Sequence, residues 1–404
     1  MLPKFIRKKF RGVQVPLGNW IVRHVLELII LSPAILITWL YLKIHKYEVI
    51  IVGVGSSAIS SFLTPLEPEL RKRINAPFGL SRTVVLCMSV DANSQIRKMY
   101  NEIVKIYGDE KKLMRRLVWW ASRFKVKVTT PAQFMSDKYW RIGFPSVSLN
   151  PADNEIGNSY LRSVGISGNK FICYATRTES YYTKLIEQGV VVKPRSVRNP
   201  DEKIYLSVAN KLAKDDLAVI RMGKDLNSSI SSIKYPMVVD YATKDHSDLL
   251  DCFLLKNAKY LINGVTGIFW FRWLFNLPTV HCDVYHIAGV DMLNDLFIFQ
   301  TVWMINERRL ATVSEMLKMR SEYSDERHQA RLGVELIKNT ANEIYAVCDE
   351  MNSRIDGTWI TTPEDEELQR RYKELSIKYS VNSPLNGGGR VGTQFLRDNQ
   401  NLLR

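Results

Sequence analysis

The chain is poor in the residues that staple small folds or hold metals. Its five cysteines, Cys87, Cys173, Cys252, Cys282 and Cys348, stand far apart and make no CxxC pair. That spacing argues against a disulfide framework and a zinc knuckle, and it suits a reducing compartment. His281, Cys282, Asp283 and His286 are grouped, but without an i, i+4 ligand pair on a helix, so no metal site is expected. There is no GxSxG elbow, no GxxxxGK loop and no HExxH helix, which removes the best-marked hydrolases and P-loop enzymes. The run from Gly53 to Ser57 is not the full dinucleotide fingerprint, and no acidic residue stands at the expected distance. A bound dinucleotide is therefore not expected.

Acidic residues are the second shortage. Against 56 Lys and Arg there are only 41 Asp and Glu, a formal net charge of +15. Such an excess draws phosphate-bearing partners of any kind, whether nucleic acid, anionic lipid or a phosphorylated small molecule. The cations are spread out and no nucleic-acid motif occurs, so nucleic acid is not an expected partner. One cluster stands apart at the start: Lys4, Arg7, Lys8, Lys9 and Arg11.

What is present in quantity is apolar residue, 46% of 404, enough for two cores. Val25 to Leu42 is almost wholly apolar, interrupted by Glu27, Ser32, Pro33 and Thr38. A cleaved signal peptide fits poorly, because the run starts late and Lys43 to Lys46 follow it. It is near the length of a spanning helix. It could also be re-entrant, or lie flat with Trp20, Trp39 and Tyr41 at headgroup level, or be a core helix. Membrane lipid is the expected partner of this segment, and monotopic or re-entrant attachment the favoured reading. Residues 1–46 form one unit on this view.

After it, β-branched runs alternate with helical stretches. Strands are expected over Val49–Val54, Thr83–Val90, Val126–Val128, Lys170–Thr176, Leu217–Ile220, Val238–Tyr241, Lys259–Ile262 and Leu277–Val280. Helices are expected over Lys111–Phe124, over Asp201–Lys214 behind a cap at Asn199 and Pro200, and over His246–Leu255. Pro145 to Gly157 reads as a boundary loop. The fold class is α/β, with two Rossmann-like lobes at 47–157 and 158–380 and a C-terminal tail at 381–404 that packs back on the body. Open parallel sheets bind ligands at the carboxyl ends of their strands, and three groups fall there. Asn263 to Gly267 is a small-residue turn opening a helix, which offers backbone N–H groups to an anion. Arg221-Met222-Gly223 ends a strand with a guanidinium suited to phosphate or carboxylate. Arg177, Glu179, Tyr181 and Tyr182 follow another.

Taken in order, these groups resemble a family of bacterial glycosyltransferases of surface-polysaccharide biosynthesis. The resemblance covers roughly Tyr160 to Val284, with a weaker echo at Tyr47 to Arg73 and at Gly388 to Leu403. It rests on Arg177, Glu179 and Tyr181 or Tyr182; on Arg198, Asn199 and Tyr205; on Arg221, Met222 and Gly223; on Asp240, Tyr241 and Ala242; and on Gly264, Thr266, Gly267 and Pro278. It implies the two-lobed GT-B fold and sugar transfer from a nucleotide-activated donor, with no cofactor beyond that co-substrate and no metal. The acceptor would be a lipid-linked glycan or polysaccharide at the cytoplasmic face of the inner membrane. Donor contacts would come from Arg198, Asn199, Arg221, Met222, Gly223, Asp240, Tyr241, Gly264, Thr266 and Gly267, with the Thr266 and Gly267 N–H groups on the pyrophosphate. Glu67, Asp91, Arg177 and Glu179 are the catalytic candidates, and Glu69 a further base. The chain departs from the family at Thr266, where serine is usual, and at Ala58 to Ser61, where a Gly-His pair is common. A sugar-nucleotide epimerase and a non-catalytic assembly factor are the alternatives.

Overall fold

The computed structural model describes residues 17–52, 59–74, 79–87, 93–108, 111–124, 126–129, 147–177, 183, 186, 198–213, 217–223, 229–230, 237–285, 287, 294–319, 322–324, 326–379 and 389–404. Gly53 to Ala58, Asp91, Glu179, Tyr181, Tyr182 and His286 lie outside them.

The first sheet holds β1 (Glu48–Val52), β2 (Thr83–Cys87), β3 (Lys105–Tyr107) and β4 (Lys127–Thr129), in the order β3-β2-β1-β4. All its pairs are parallel. A parallel sheet needs cover on both faces, and the alternation supplies it. Val49, Val84 and Leu86 pack with α1 (Leu17–Ile44) and α4 (Lys112–Ala121). Ile50, Val85 and Cys87, one residue out of phase, pack with α2 (Ile59–Ile74) and α3 (Ser94–Ile103).

Pro151 then opens α5 (Pro151–Ser163), capped by the Asn150 side chain on the Asp153 N–H. The stretch expected to be a boundary loop is therefore helical from Pro151 onward, and position 157 falls inside the helix. Gly157 is there for packing: a Cβ on it would stand 2.1 Å from the Phe253 ring.

The second sheet begins with β5 (Phe171–Thr176) and continues through β6 (Ala218–Met222), β7 (Val238–Val239), β8 (Leu261–Gly264), β9 (Thr279–Val284) and β10 (Leu296–Phe299). A three-stranded antiparallel patch intervenes: β11 (Thr301–Met304), β12 (Arg309–Leu310) and β13 (Val334–Ile337). β14 (Arg390–Val391) closes the main sheet, whose order is β14-β10-β9-β8-β5-β6-β7, parallel throughout. Its helices include α6 (Glu202–Leu212), α7 (Tyr241–Lys244), α8 (Asp248–Asn257) and α9 (Phe271–Phe275). The cap of α6 is Asp201, which accepts from the Lys203 N–H, not Asn199. β6 runs on through Arg221 and Met222, and β9 contains His281, Cys282 and Asp283. α10 (Val313–Lys318), α11 (Glu326–Leu332), α12 (Ala341–Ile355), α13 (Pro363–Tyr379) and α14 (Thr393–Asp398) follow. Phe395, Leu396, Leu402 and Leu403 are buried in the core of the second sheet.

The two sheets share apolar contacts. One cluster joins Leu63, Leu66 and Tyr100 on α2 and α3 to Phe253, Phe271 and Leu274 beside the second sheet. Polar latches cross the same seam. Asp248 Oδ2 accepts from the Ser94 N–H at 2.8 Å and its hydroxyl at 2.7 Å. Asp153 accepts from Gln95 and from Lys98, both at 2.7 Å.

Candidate functional site

Counted from β5, the second sheet runs 7-6-5-4-1-2-3, which is the doubly wound dinucleotide-fold order extended by one strand. The direction of winding reverses between β5 and β8, which pair from Cys173–Leu261 to Thr176–Gly264. The crevice beyond their carboxyl ends is where such sheets bind ligands. Arg177 leaves β5 there, and the turn Gly264 to Gly267 leaves β8. Met222 ends the neighbouring β6, and Gly223 just after it holds φ 154, a conformation open to glycine.

A further segment reaches the same edge. Arg198 to Pro200 comes in ahead of α6, and both Pro200 and Tyr205 lie against Gly264. A Cβ on Gly264 would be 3.1 Å from each, so glycine permits this close approach. Lys338 Nζ donates to the Asn199 carbonyl at 2.5 Å. The Asn199 side-chain nitrogen and oxygen, and Arg198 Nε, are buried and make no hydrogen bond among the described residues. Buried polar atoms are nearly always paired, and leaving one unmade costs about 1–3 kcal/mol.

The turn after β8 is held from below. Asn263 Oδ1 accepts from the Thr266 N–H at 3.0 Å and from Thr266 Oγ1 at 3.1 Å. With its oxygen so engaged, the amide nitrogen meets His281 Nδ1 at 3.3 Å. His281 Nε2 stands 3.2 Å from Asp295 Oδ2 and 3.3 Å from Arg272 Nη1. Asp295 also pairs with Arg272 and accepts from the Thr279 N–H. Burial, and then the Arg272 charge, hold the His281 pKa well below its usual 6.5, so the ring is neutral. Val265 sits between these anchors at φ 56, a costly conformation for a β-branched residue. Thr266 Oγ1 caps the Ile268 N–H at 3.3 Å. Gly267, which opens the 3-10 turn Gly267–Trp270, has open space where a side chain would stand. The Thr266 N–H expected to face a pyrophosphate is thus already taken by Asn263, which leaves Gly267 as the open position of the turn.

Several expected contacts are turned inward instead. Arg221 is 1% exposed within β6. Its Nε donates to Glu202 Oε1 at 2.8 Å and its Nη1 to Asp240 Oδ1 at 3.1 Å. It braces the start of α6 against the end of β7 and presents no fork to the crevice. Asp240 Oδ2 also accepts from the Ile230 N–H at 2.8 Å. The Tyr241 hydroxyl donates to the Ser247 carbonyl and lies 2.9 Å from Asp251 Oδ1. Met222 is core. Glu67, the candidate base, is fully buried, bound to Arg71 Nε at 2.7 Å and to the Tyr100 hydroxyl. Glu69 pairs with Lys72 and Arg73. Of the sequence-derived set, the crevice gathers Arg177, Arg198, Asn199, Gly223, Gly264, Thr266 and Gly267.

Sequence reasoning passed over Asn263, His281 and Asp295 as a unit, and weighed Asp283 only as a metal ligand beside His281, Cys282 and His286. Asp283 holds φ 55 at the end of β9, takes the Tyr205 hydroxyl at 2.8 Å and the Asn339 N–H at 2.8 Å, and has its pKa raised by burial. Its signal was an acidic residue closing an apolar strand. His246, Asp248 and Asp251 lie close enough to share a cation. Each is engaged, however: His246 with Asp251 at 3.2 Å, Asp248 with Ser94, and Asp251 with Tyr241. A cavity lined by Gly165, Ser167, Lys170 and Met237 opens at the other, amino-terminal edge of the second sheet, away from the crevice.

No protein-family model matches the chain, and no curated protein matches it. Solved structures do align with it. The ADP-heptose heptosyltransferase II of E. coli covers 58% of this chain with 84% of its own, at 10% identity and TM-score 0.37. A family 9 glycosyl transferase from Veillonella parvula covers 58% with 80% of its own, at 8% identity and TM-score 0.38. The iron-containing dodecameric glycosyltransferase TibC of enterotoxigenic E. coli covers 60% with 59% of its own, at 12% identity and TM-score 0.34. Likenesses this distant carry no weight for activity; the strand order and crevice of this chain stand by themselves.

Proposed function

We propose that the protein is a glycosyltransferase that takes a sugar from a nucleotide-activated donor and passes it to a lipid-linked or polysaccharide acceptor at the cytoplasmic face of the membrane. The observation that carries this reading is the crevice at the switch point of the second sheet. It combines two arginines, a strained turn and an asparagine whose amide has no partner among the described residues. A nucleoside diphosphate suits such a set. Arg177 and Arg198 offset the charge that grows on the leaving diphosphate, and Gly267 lets an oxygen approach the turn without a side chain in the way. Asn199, with both its amide N–H groups and its carbonyl oxygen to give, orients the nucleoside. Arginine and a helix start can balance a diphosphate, so the proposed reaction needs no metal.

The first sheet, latched alongside, supplies the acceptor wall. The base for an inverting transfer is not Glu67, whose carboxylate is spent on Arg71 and Tyr100. Glu69, paired with Lys72 and Arg73, is likewise engaged, so of the carboxylates expected on the acceptor side Asp91 keeps that role. The test is release of free nucleotide from a panel of nucleotide-sugars, incubated with purified protein and native membranes, with and without EDTA. One nucleotide-sugar turned over in both conditions supports the proposal. Turnover of none, or epimerisation of the sugar without its transfer, contradicts it.

A further inference from the structure

α1 is apolar over Val25–Ile44, 20 residues of mean hydropathy 2.1, yet only 11% of that stretch is buried. It is thus not a core helix. Nor is it a free-standing rod. Leu28, Leu31, Ile35, Trp39 and Leu42 face Leu117, Val118 and Ala121 of α4 and the first sheet. Glu27 Oε1 pairs with Arg116 at 3.0 Å, and twelve residues on, the Trp39 indole donates to the Phe124 carbonyl. α1 therefore runs alongside α4 over its middle turns. The opposite face is exposed and contains no charge between Val25 and Leu42: Leu26, Ile29, Ile30, Leu36 and Ile37 are each more than half exposed.

A helix crossing a bilayer is surrounded by acyl chains. α1 has beside it, along that same length, Lys112 and Arg116 of α4 and Arg123 just past it, all exposed. Crossing would drag these cations into hydrocarbon, where ionised side chains are costly. Lying in the interface puts them on the headgroups instead. Exposed Leu113, Met114 and Phe124 extend the apolar face onto α4. At the end of α1 stands an aromatic and lysine belt of the kind that marks a membrane–water boundary. Lys43 lies 4.8 Å from the Trp39 ring, and Lys105 is 5.4 Å from the Tyr47 ring. Exposed Lys46 and Lys127 add to the same positive rim.

We infer that α1 lies flat on an anionic bilayer, its outer apolar face sunk to the acyl boundary and the cations around α4 on the lipid headgroups, and that the chain does not cross the membrane. This deepens the membrane clause of the proposed function but does not rest on sugar transfer, and its test reads no activity. Full-length protein is freed of detergent and floated with vesicles of phosphatidylcholine alone or mixed with phosphatidylglycerol. Binding is expected to the mixed vesicles and to be weakened by salt, about tenfold or more between low and high salt. Bound protein should be released by alkaline carbonate. Ile29→Asn with Ile37→Asn should abolish binding, and Lys111→Glu with Lys112→Glu should remove the preference for the anionic lipid, each with unchanged melting temperature. Resistance to carbonate would overturn the inference in favour of a span. Equal binding to both vesicle types would overturn its electrostatic half. Failure to bind either, with a dimer that Ile29→Asn and Ile37→Asn dissociate, would assign the face to a second copy of the chain.

Discussion

Asn263 Oδ1 accepts two hydrogen bonds from Thr266, one from its backbone N–H at 3.0 Å and one from its hydroxyl at 3.1 Å. The pair ties the turn after β8 to the buried chain of His281 and Asp295 beneath it. It also holds Val265 at φ 56, so the geometry of the turn is set before any ligand arrives.

Asn263→Ala should therefore loosen the turn and leave three buried groups, the Thr266 N–H, the Thr266 hydroxyl and His281 Nδ1, without their partner. The expected cost is about 1–3 kcal/mol, seen as a lower melting temperature. Loss of nucleotide affinity should exceed what Asn263→Asp causes, since aspartate keeps the acceptor for Thr266. Calorimetric titration of both variants with the binding nucleotide separates these effects.

Arg221→Ala should unfold the protein rather than disarm it. Asp240 is fully buried at its side chain, and it pairs with Arg221 at 3.1 Å. Removing one partner of a buried ion pair costs about 3–5 kcal/mol. Denaturant unfolding in the absence of nucleotide should show the whole loss. A variant of normal stability that no longer binds nucleotide would instead place Arg221 in the ligand crevice.

Gly264→Ala tests the close approach at the switch point. The added methyl meets Tyr205 and Pro200 at 3.1 Å, and overpacking of this kind costs about 1–3 kcal/mol. Gly157→Ala, with a ring carbon at 2.1 Å, should cost more because the Phe253 ring is core. Only Gly264→Ala should lower nucleotide affinity at temperatures where both variants are folded.

His281 gives a pH signature. Its folded pKa is depressed below 6.5, so the unfolded chain binds a proton that the folded chain refuses. Its contribution to stability is complete above pH 6.5 and is lost as pH falls below it, by at most about 1.4 kcal/mol per pH unit. His281→Gln should flatten that part of the stability–pH curve. Melting temperatures of both proteins between pH 5 and 8 provide the check.

Much of this architecture was legible in the sequence. The β-branched runs at Val49, Thr83, Lys170 and Lys259 each became a parallel strand, because a strand buried on both faces must be apolar throughout. Their ends were less legible. Two more residues in β6 turn Arg221 from a crevice residue into a buried brace, and periodicity does not report such a difference. Nor does sequence show that Glu202 and Asp240, each 19 positions away, converge on that arginine. Glu67 was misread for the same reason: its partner Tyr100 is 33 residues on. What the pattern did convey was the set of small and cationic residues after β5 and β8, since these sit at strand ends that topology makes adjacent.

A nucleotide site in the crevice between β5 and β8 can be checked by a thermal-shift screen. UDP, GDP, CMP and their common sugar conjugates would be added to wild type and to Asn199→Ala, with and without EDTA. A ligand at about one hundred times its dissociation constant stabilises the fold by about 2.7 kcal/mol. One nucleotide should raise the melting temperature of wild type, equally in EDTA, and Asn199→Ala should keep its own stability but lose most of that shift. If no nucleotide or nucleotide-sugar shifts wild type at millimolar levels, or if the shift is intact in Asn199→Ala, the crevice is not the donor site.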